Sequence, residues 1–266
     1  MSVRFTILGS GSRGNCAYLE TDQVRLLIDA GFSGKQIRER LASIGRTPET
    51  LDGILLTHEH SDHTQGLRIL SSRLKLPIYC NRLIKEAVEN QLGASVKGKL
   101  FTTGDSFELG DVQIDTFSVP HDAYDPVGFV LRTEAGTIGF LTDLGHATKM
   151  IIHRVQCANI LVLEANHDMK LLQEDTKRPW STKQRIMSRH GHLSNEAAAR
   201  VLDEIVTEKL QRVYLGHLSS DCNTPELAKE TVSQQLSANN VDHVHLENTA
   251  QSAPCSTLDV ASVSTS

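Results

Sequence analysis

The seven residues THEHSDH, at positions 57–63, constrain this chain more than any other stretch. They contain three histidines and two carboxylates, and they directly follow the apolar run DGILL. Titratable side chains at this density destabilise a fold unless a ligand neutralises and orders them. The stretch therefore predicts a buried strand that delivers a polar loop to a binding site.

The order of the side chains in this loop indicates a metal site. Alternate residues leaving a strand project to one side, so we expect His58 and His60 to bind one ion together. Asp62 and His63 lie on the turn that follows and point to a neighbouring position. The spacing differs from the helical H-E-x-x-H pattern. Imidazole and carboxylate ligands suit Zn, Mn or Fe, and the absence of thiolates argues against a structural zinc cage.

Further ligands are expected at the ends of other apolar strands. His121 follows TFSVP, Asp143 ends IGFLTD, and His217 ends RVYLG. A carboxylate has two oxygens, so Asp143 is the residue that can bridge two ions. The predicted ligands are His58, His60 and His121 for the first ion, Asp62, His63 and His217 for the second, and Asp143 for both.

Composition and charge limit the class of protein. Hydrophobic residues make up 39% and charged residues 22% of the 266, as in soluble globular proteins. The sequence contains no run of eighteen apolar residues, so no membrane-spanning helix is predicted. The N-terminus lacks the pattern of a signal peptide, and we therefore expect a cytoplasmic protein. The five cysteines are scattered without a C-x-x-C pair, which fits a reducing compartment. A net charge of −5 argues weakly against indiscriminate binding to nucleic acid.

Short strands with interspersed helices predict an α+β fold in two β-rich halves. Each half would pack helices on one face of its sheet and the other sheet on the opposite face. Ser194 is a predicted N-cap, Thr224 and Pro225 start another helix, and VDHVHLE forms the final strand. Residues 1–248 form the expected single domain. Residues 249–266 are rich in Ser and Thr, and we expect this tail to be disordered because it cannot bury enough apolar area.

Several motifs together resemble the metallo-β-lactamase fold. THEHSDH, VPHDA, LTDLG and LGHLSSDCN are similar to its successive metal motifs, and LGSGSRGNCAYLE, EANHD and HGHLSNEAAA resemble the YycJ/WalJ group of DNA exonucleases. The resemblance implies a four-layer αβ/βα sandwich, two divalent ions (Zn²⁺ or Mn²⁺) at one edge and nucleic acid, most typically DNA, as substrate. The first motif is shared with glyoxalase II, lactonases, tRNase Z and RNase J, so it fixes the fold and not the substrate.

His192 is the predicted catalytic acid. It lies just before the Ser194 cap, at the positive end of a helix, and its segment resembles a loop of tRNase Z whose histidine lies beside the scissile phosphate. We interpret it as a phosphate contact and a general acid, with Asp62 and Asp143 as the other catalytic residues. The alternative is a capping histidine without chemistry.

Two further segments are predicted to contact the substrate. The glycine-rich GSGSRGN would form a wall of the site with Ser10, Ser12 and Asn15. Residues 168–192 carry six Lys or Arg against three Asp or Glu. In this segment, basic side chains would bind along a phosphate backbone while an aromatic side chain stacks on a base. The basic residues are Lys177, Arg178, Lys183 and Arg185, and the aromatic residue is Trp180. The alternative is a solvated loop with one anchoring aromatic.

The function that fits best is a dinuclear-metal phosphodiesterase, an exonuclease acting on DNA ends. A hydroxide bridging the metals would attack phosphorus while His192 assists the leaving oxygen. The alternatives are an RNA-processing nuclease, a hydrolase of small cyclic or linear phosphodiesters, a thioester hydrolase of the glyoxalase II type and a non-catalytic metal-binding regulatory module. The sequence is compatible with a monomer or a homodimer.

Overall fold

Short apolar runs separated by glycine and polar turns form the strands of two sheets in the computed structural model, which describes residues 2–264. The strands are β1 Arg4–Gly9, β2 Cys16–Glu20, β3 Arg25–Ile28, β4 Gly53–Leu55, β5 Ile78–Cys80, β6 Gly98–Leu100, β7 Ser106–Leu109, β8 Val112–Ser118, β9 Val127–Thr133, β10 Gly136–Leu141, β11 Ile160–Glu164, β12 Arg212–Gly216, β13 His245–Asn248 and β14 Leu258–Asp259.

The helices occupy the segments between these strands and after the last one. They are α1 Gly34–Ser43, α2 Ser61–Thr64, α3 Leu67–Leu74, α4 Arg82–Leu92, α5 Lys149–Val155, α6 Met169–Glu174, α7 Trp180–Ile186, α8 Asn195–Ile205, α9 Pro225–Ala238 and α10 Ala261–Ser264. Ser194 and Thr224 cap α8 and α9 as the sequence predicts, each accepting a hydrogen bond from the first helical turn. Along residues 2–264, no helix combines the length and the apolar character needed to cross a membrane.

Each sheet contains seven strands, and both sheets are mixed. One has the order β14-β1-β2-β3-β4-β5-β6 and the other β13-β12-β11-β10-β9-β8-β7. Strands β3 to β6 are parallel, as are β10 to β13, and the remaining pairs are antiparallel. Parallel strands end at the same edge of a sheet, and this topology decides where the polar residues meet.

Strand β11 shows how the layers pack. Ile160 and Val162 lie in the core between the sheets, together with Phe5 and Phe129. Leu161 and the other residues of opposite orientation pack against α5, α8 and α9. A strand covered on both faces is apolar along its length, as residues 160–163 of this one are. With α1, α3 and α4 covering the other sheet, the predicted α+β four-layer sandwich is confirmed.

The C-terminal segment differs from the expected disordered tail. Strand β14 pairs antiparallel with β1, and Val260 is fully buried in the core between the sheets. The side-chain amide of Gln251 donates to the carbonyl oxygen of Gly14 at 3.0 Å. One buried valine and an otherwise unpaired sheet edge therefore order a segment whose composition alone indicates disorder. The correction covers residues 249–264; residues 265–266 lie outside the described part of the chain.

Candidate metal centre

Polar residues stand at the carboxyl ends of strands from both sheets, and the fold brings them to one cleft. Asp29 follows β3, Asp143 follows β10 and His217 follows β12. All three have left-handed backbone conformations, with φ of 60°, 57° and 55°. This conformation costs roughly 1–3 kcal/mol at residues other than glycine and is concentrated at functional sites. The backbone at these strand ends thus orients the three side chains, and its left-handed conformation carries an energetic cost.

The first predicted ligand set is assembled. One nitrogen from each of His58, His60 and His121 lies within 4.8 Å of the others. His121 donates its Nδ1 hydrogen to the carbonyl oxygen of Gly191 at 3.1 Å, which leaves its Nε2 with a free lone pair. That Nε2 lies 3.3 Å from Nδ1 of His60.

The second predicted set is also assembled, and its histidines are held from behind by carboxylates. Asp62, His63, Asp143 and His217 have ligand atoms within 4.8 Å of one another. His63 donates from Nδ1 to Asp29 at 2.8 Å, and His217 donates from Nδ1 to Glu164 at 2.9 Å. Each imidazole therefore directs its Nε2 into the cluster.

The arrangement of these atoms fits bound cations. Nε2 of His217 lies 3.2 Å from an oxygen of Asp62, and Nε2 of His63 lies 3.2 Å from an oxygen of Asp143. Lone pairs facing carboxylate oxygens repel unless a proton or a metal ion lies between them. Among the described residues, the buried Nε2 of His58 and Oδ2 of Asp143 have no hydrogen-bond partner. The donor set thus suits two divalent ions, and the unpaired atoms are among those that would coordinate them.

The pKa values of the second set reflect the same charge distribution. Burial lowers the pKa of His63, but the carboxylates of Asp143, Asp29 and Asp62 outweigh burial and raise it well above the usual value. His217 behaves in the same way. Burial acts to raise the pKa of Asp62, yet His63 and His217 hold it below the usual range. The cluster therefore favours positive charge at its centre.

Asp143, the predicted bridging carboxylate, lies between the two sets. Its Oδ1 lies 3.8 Å from Nε2 of His121 and 3.4 Å from Nε2 of His217, and its Oδ2 faces His63. It is 2% exposed. One side chain thus places its oxygens near histidines of both sets.

Glu164 is a residue of the centre that sequence reasoning missed. Its fully buried carboxylate accepts from Nδ1 of His192 at 2.7 Å, from Nδ1 of His217 and from the backbone N–H groups of Leu144 and Leu193. Burial raises its pKa, but the two histidines lower it to about 2. Glu164 stands at the end of the apolar run ILVLE, and this is the signal that could have identified it.

Asp29 was missed for the same reason. It ends the apolar run RLLID and is fully buried. Its carboxylate accepts from His63 and from the backbone N–H of Thr57 at 2.9 Å. It therefore fixes both the tautomer of a ligand and the start of the histidine loop.

His192 lies where the sequence predicts the catalytic acid. Its side chain is 20% exposed, its ring stacks on that of His217 with centroids 5.1 Å apart, and it lines the central cleft. Burial lowers the pKa of His192, but Glu164 outweighs burial and raises it above the usual value. Ligand atoms of Asp143, Glu164, His192 and His217 also lie within 4.8 Å of one another. His192 and Glu164 form a hydrogen-bonded pair, since Nδ1 of the one lies 2.7 Å from Oε1 of the other.

The glycine-rich loop supports the ligands more than it faces the cleft. Ser10 donates to Oδ1 of Asn15 and accepts from the backbone N–H of His217, both at 2.8 Å. The amide nitrogen of Asn15, 2% exposed, lies 3.1 Å from Nε2 of His63. Ser12 is exposed and lines the cleft. Of the three predicted substrate contacts, Ser12 alone keeps that position, while Ser10 and Asn15 hold metal ligands in place.

The basic segment divides into residues inside and outside the cleft. Arg178 and Arg185 line the cleft, each paired with acidic residues from other loops. Lys183 is 6% exposed and donates to the carbonyl oxygen of Gln173 at 2.7 Å, so its predicted phosphate contact is corrected to a structural one. Lys177 binds Asp221 at the surface.

Trp180 starts α7 and is 59% exposed. Together with Lys177, it lies outside the lining of the cleft. Contact of either residue with nucleic acid would therefore involve a strand beyond the cavity, and it stays a prediction.

Comparisons with known proteins agree with this geometry. The profile of the beta-lactamase superfamily domain matches residues 24–218. The chain is 37% identical over 238 residues to exodeoxyribonuclease YycJ of Bacillus anthracis, covering 89% of this chain and 90% of that protein. It is 40% identical over 240 residues to exodeoxyribonuclease WalJ of Streptococcus pneumoniae, covering 89% of each.

Solved structures show the same fold. The metallo-beta-lactamase fold protein YhfI from Bacillus subtilis aligns with a TM-score of 0.70 at 17% identity, over 96% of this chain and 98% of that one. Zn²⁺-bound PqqB from Methylobacterium extorquens aligns with a TM-score of 0.69 at 17% identity, over 96% and 99%. The chain therefore belongs to the β-lactamase superfamily and is a metal-dependent hydrolase of the metallo-β-lactamase fold.

Proposed function

We propose that this hydrolase is a dinuclear-metal phosphodiesterase that removes nucleotides from DNA ends. The observation that carries the proposal is the hydrogen-bonded pair of Glu164 and His192 beside the shared ligand Asp143. It supplies a proton donor next to two cation positions, which is what departure of an alkoxide from phosphorus requires. The near full-length relatives named exodeoxyribonucleases support DNA as the substrate.

The residues around the centre have separate tasks. Two divalent ions bound there would supply an activated water and neutralise the charge of the scissile phosphate. Asp29 and Glu164 hold His63 and His217 in the tautomer that directs Nε2 inward. Glu164 also accepts from Nδ1 of His192 and raises the pKa of that ring, so the charged imidazolium carries a proton on Nε2 that it can transfer to the leaving oxygen.

The size of the cleft favours a chain end. Its volume is about 220 Å³, below the roughly 300–1,000 Å³ of pockets that enclose drug-sized ligands. Such a cavity receives the reacting phosphate and part of one nucleotide. Arg178 and Arg185 stand at its wall, each paired with an acidic residue of another loop.

The alternative of a thioester hydrolase makes less use of the same residues. A thiol has a pKa of about 8.5, so a thiolate leaves without help from an acid. The Glu164–His192 pair would then have no task at the centre. For a non-catalytic module, a proton donor lining the cleft would likewise have no use.

One assay separates these functions. The purified protein is loaded with Mn²⁺ or Zn²⁺ and offered labelled duplex DNA, single-stranded RNA, a chromogenic phosphodiester and an S-acyl glutathione. We expect stepwise shortening of DNA from its ends and loss of that activity in Asp143→Asn. Turnover of S-acyl glutathione with no cleavage of any phosphodiester would contradict the proposal.

A further inference from the structure

His167 is a buried side chain at the cleft that the chemistry above does not use. It is 1% exposed and lines the same cavity as His192. Its backbone is fixed by a bridge to Ser194 and by the N–H of Asn195, which donates to its carbonyl oxygen at 2.8 Å. Within residues 2–264, neither of its ring nitrogens has a hydrogen-bond partner.

An unpaired polar group inside a protein costs folding free energy, so it is usually satisfied by the chain, by water or by a ligand. Here the chain holds the imidazole in place through its backbone and leaves both buried ring nitrogens without a partner in the wall of the cavity. This combination indicates a role toward a ligand rather than toward the fold.

The protonation state limits what the ligand can be. Burial lowers the pKa of His167 to about 4, so the ring is neutral near pH 7. A neutral imidazole offers one donor and one acceptor. A hydroxyl group can donate to the acceptor nitrogen or accept from the N–H group, whereas an ionised phosphate can only accept.

The charges nearby point the same way. Arg178 binds Asp175 at 2.7 Å and Asp221 at 2.9 Å, and it lies 3.5 Å from the sulfur of Cys222, whose carbonyl oxygen accepts from the residue after His167. Two carboxylates thus neutralise the guanidinium on this side of the cleft. Arg178 therefore has no unpaired charge left for a terminal phosphate.

Building on the proposed function, we infer that His167 binds a free sugar hydroxyl at the end of the DNA strand. The enzyme would then prefer hydroxyl-ended over phosphate-ended strands. The 5′ and the 3′ hydroxyl share this chemistry, and substrates blocked at one end or the other distinguish them. The apolar side chains of Leu172 and Ile186 line the cavity and provide a surface for the sugar ring.

The test measures binding without turnover. In an Asp143→Asn background, fluorescence anisotropy compares oligonucleotides carrying a hydroxyl or a phosphate at the 5′ end, and separately at the 3′ end. We expect about five- to tenfold tighter binding of the hydroxyl form at one end. Adding His167→Leu should abolish the preference, and His167→Gln, which keeps a donor and an acceptor, should retain part of it. Equal affinities, or a preference that survives His167→Leu, would overturn the inference.

Thermal unfolding provides a second readout. Replacing an unpaired buried imidazole with leucine should leave the Tm unchanged or raise it, because no internal hydrogen bond is lost. A Tm lowered by both His167→Leu and His167→Gln would instead assign the ring to the fold and overturn the inference. The exposed His153 on α5 is the matched control, and His153→Gln should change neither the Tm nor the end preference.

The two proposals fail in different ways. Absence of phosphodiester cleavage by the metal-loaded wild-type protein would remove the proposed function, whereas the end preference is measured in a protein that need not turn over. Cleavage of DNA without any end preference in binding would remove the role of His167 alone.

Discussion

The two ligand sets of the metal centre differ in what stands behind them. His121 of the first set is backed by a neutral carbonyl oxygen, whereas His63 and His217 of the second are backed by the buried carboxylates of Asp29 and Glu164. Burial lowers the pKa of His58 well below its usual value, while carboxylates raise that of His63 well above it. One centre thus combines a set of nearly neutral donors with a strongly anionic one.

This difference indicates that the two sets have different tasks. The anionic set favours a cation strongly, and Glu164 extends it to His192, the proton donor of the cleft. An ion held by the neutral set would keep more of its positive charge, and this would suit polarisation of a substrate oxygen. The predictions below test this division.

Substitution of the shared ligand should have the largest effect. Asp143→Asn removes a charge common to both sets, so we expect loss of turnover by about 10³-fold or more and fewer than two metal ions per chain. Kinetics with elemental analysis of the same sample checks this. Two ions per chain with normal turnover would show that the sets do not depend on Asp143.

His192→Gln should impair chemistry without affecting metal. The expected fall in kcat is about 10²- to 10⁴-fold, the usual contribution of a general acid, with metal content unchanged because His192 is not a ligand in our assignment. A matching loss of metal would instead assign it, with Glu164, to the ligand shell.

Asp29→Asn should affect the second set selectively. Removing the charge behind His63 is expected to weaken one metal-binding step about 10- to 100-fold and to leave the other intact. Calorimetric titration of the metal-free protein resolves the two steps. Equal weakening of both would contradict the separation of the sets.

Removal of metal should have a smaller, global effect. A chelator leaves the facing carboxylates without cations, so the Tm should fall, and it should recover as Mn²⁺ or Zn²⁺ is added back in excess. The recovery should be smaller in Asp29→Asn than in wild type. A Tm indifferent to chelation would indicate that the cluster is stabilised by protons alone.

Much of the centre could be predicted because its ligands follow apolar strands or crowd one loop. His58, His121, Asp143 and His217 carry that signal in the sequence itself. Asp29 and Glu164, the carboxylates that accept hydrogen bonds from two of the ligand histidines, are not predicted in this way. Each is the acidic residue at the end of an apolar run, and the pattern assigns it to the strand itself.

The remaining errors arise from contacts distant in sequence. Lys183 is engaged by Gln173, and the pairing of β14 with β1 joins the two ends of the chain. Composition predicts neither contact, because it gives the average polarity of a segment and not which residues come together in the fold. Val260 shows the limit most clearly, since one buried side chain anchors a polar segment.

The most direct test of the account is anomalous diffraction from crystals of the protein loaded with Zn²⁺ or Mn²⁺. The account predicts two peaks, one bound by His58, His60 and His121 and one by Asp62, His63 and His217, with Asp143 touching both. A single peak, or ions bound elsewhere, would contradict it.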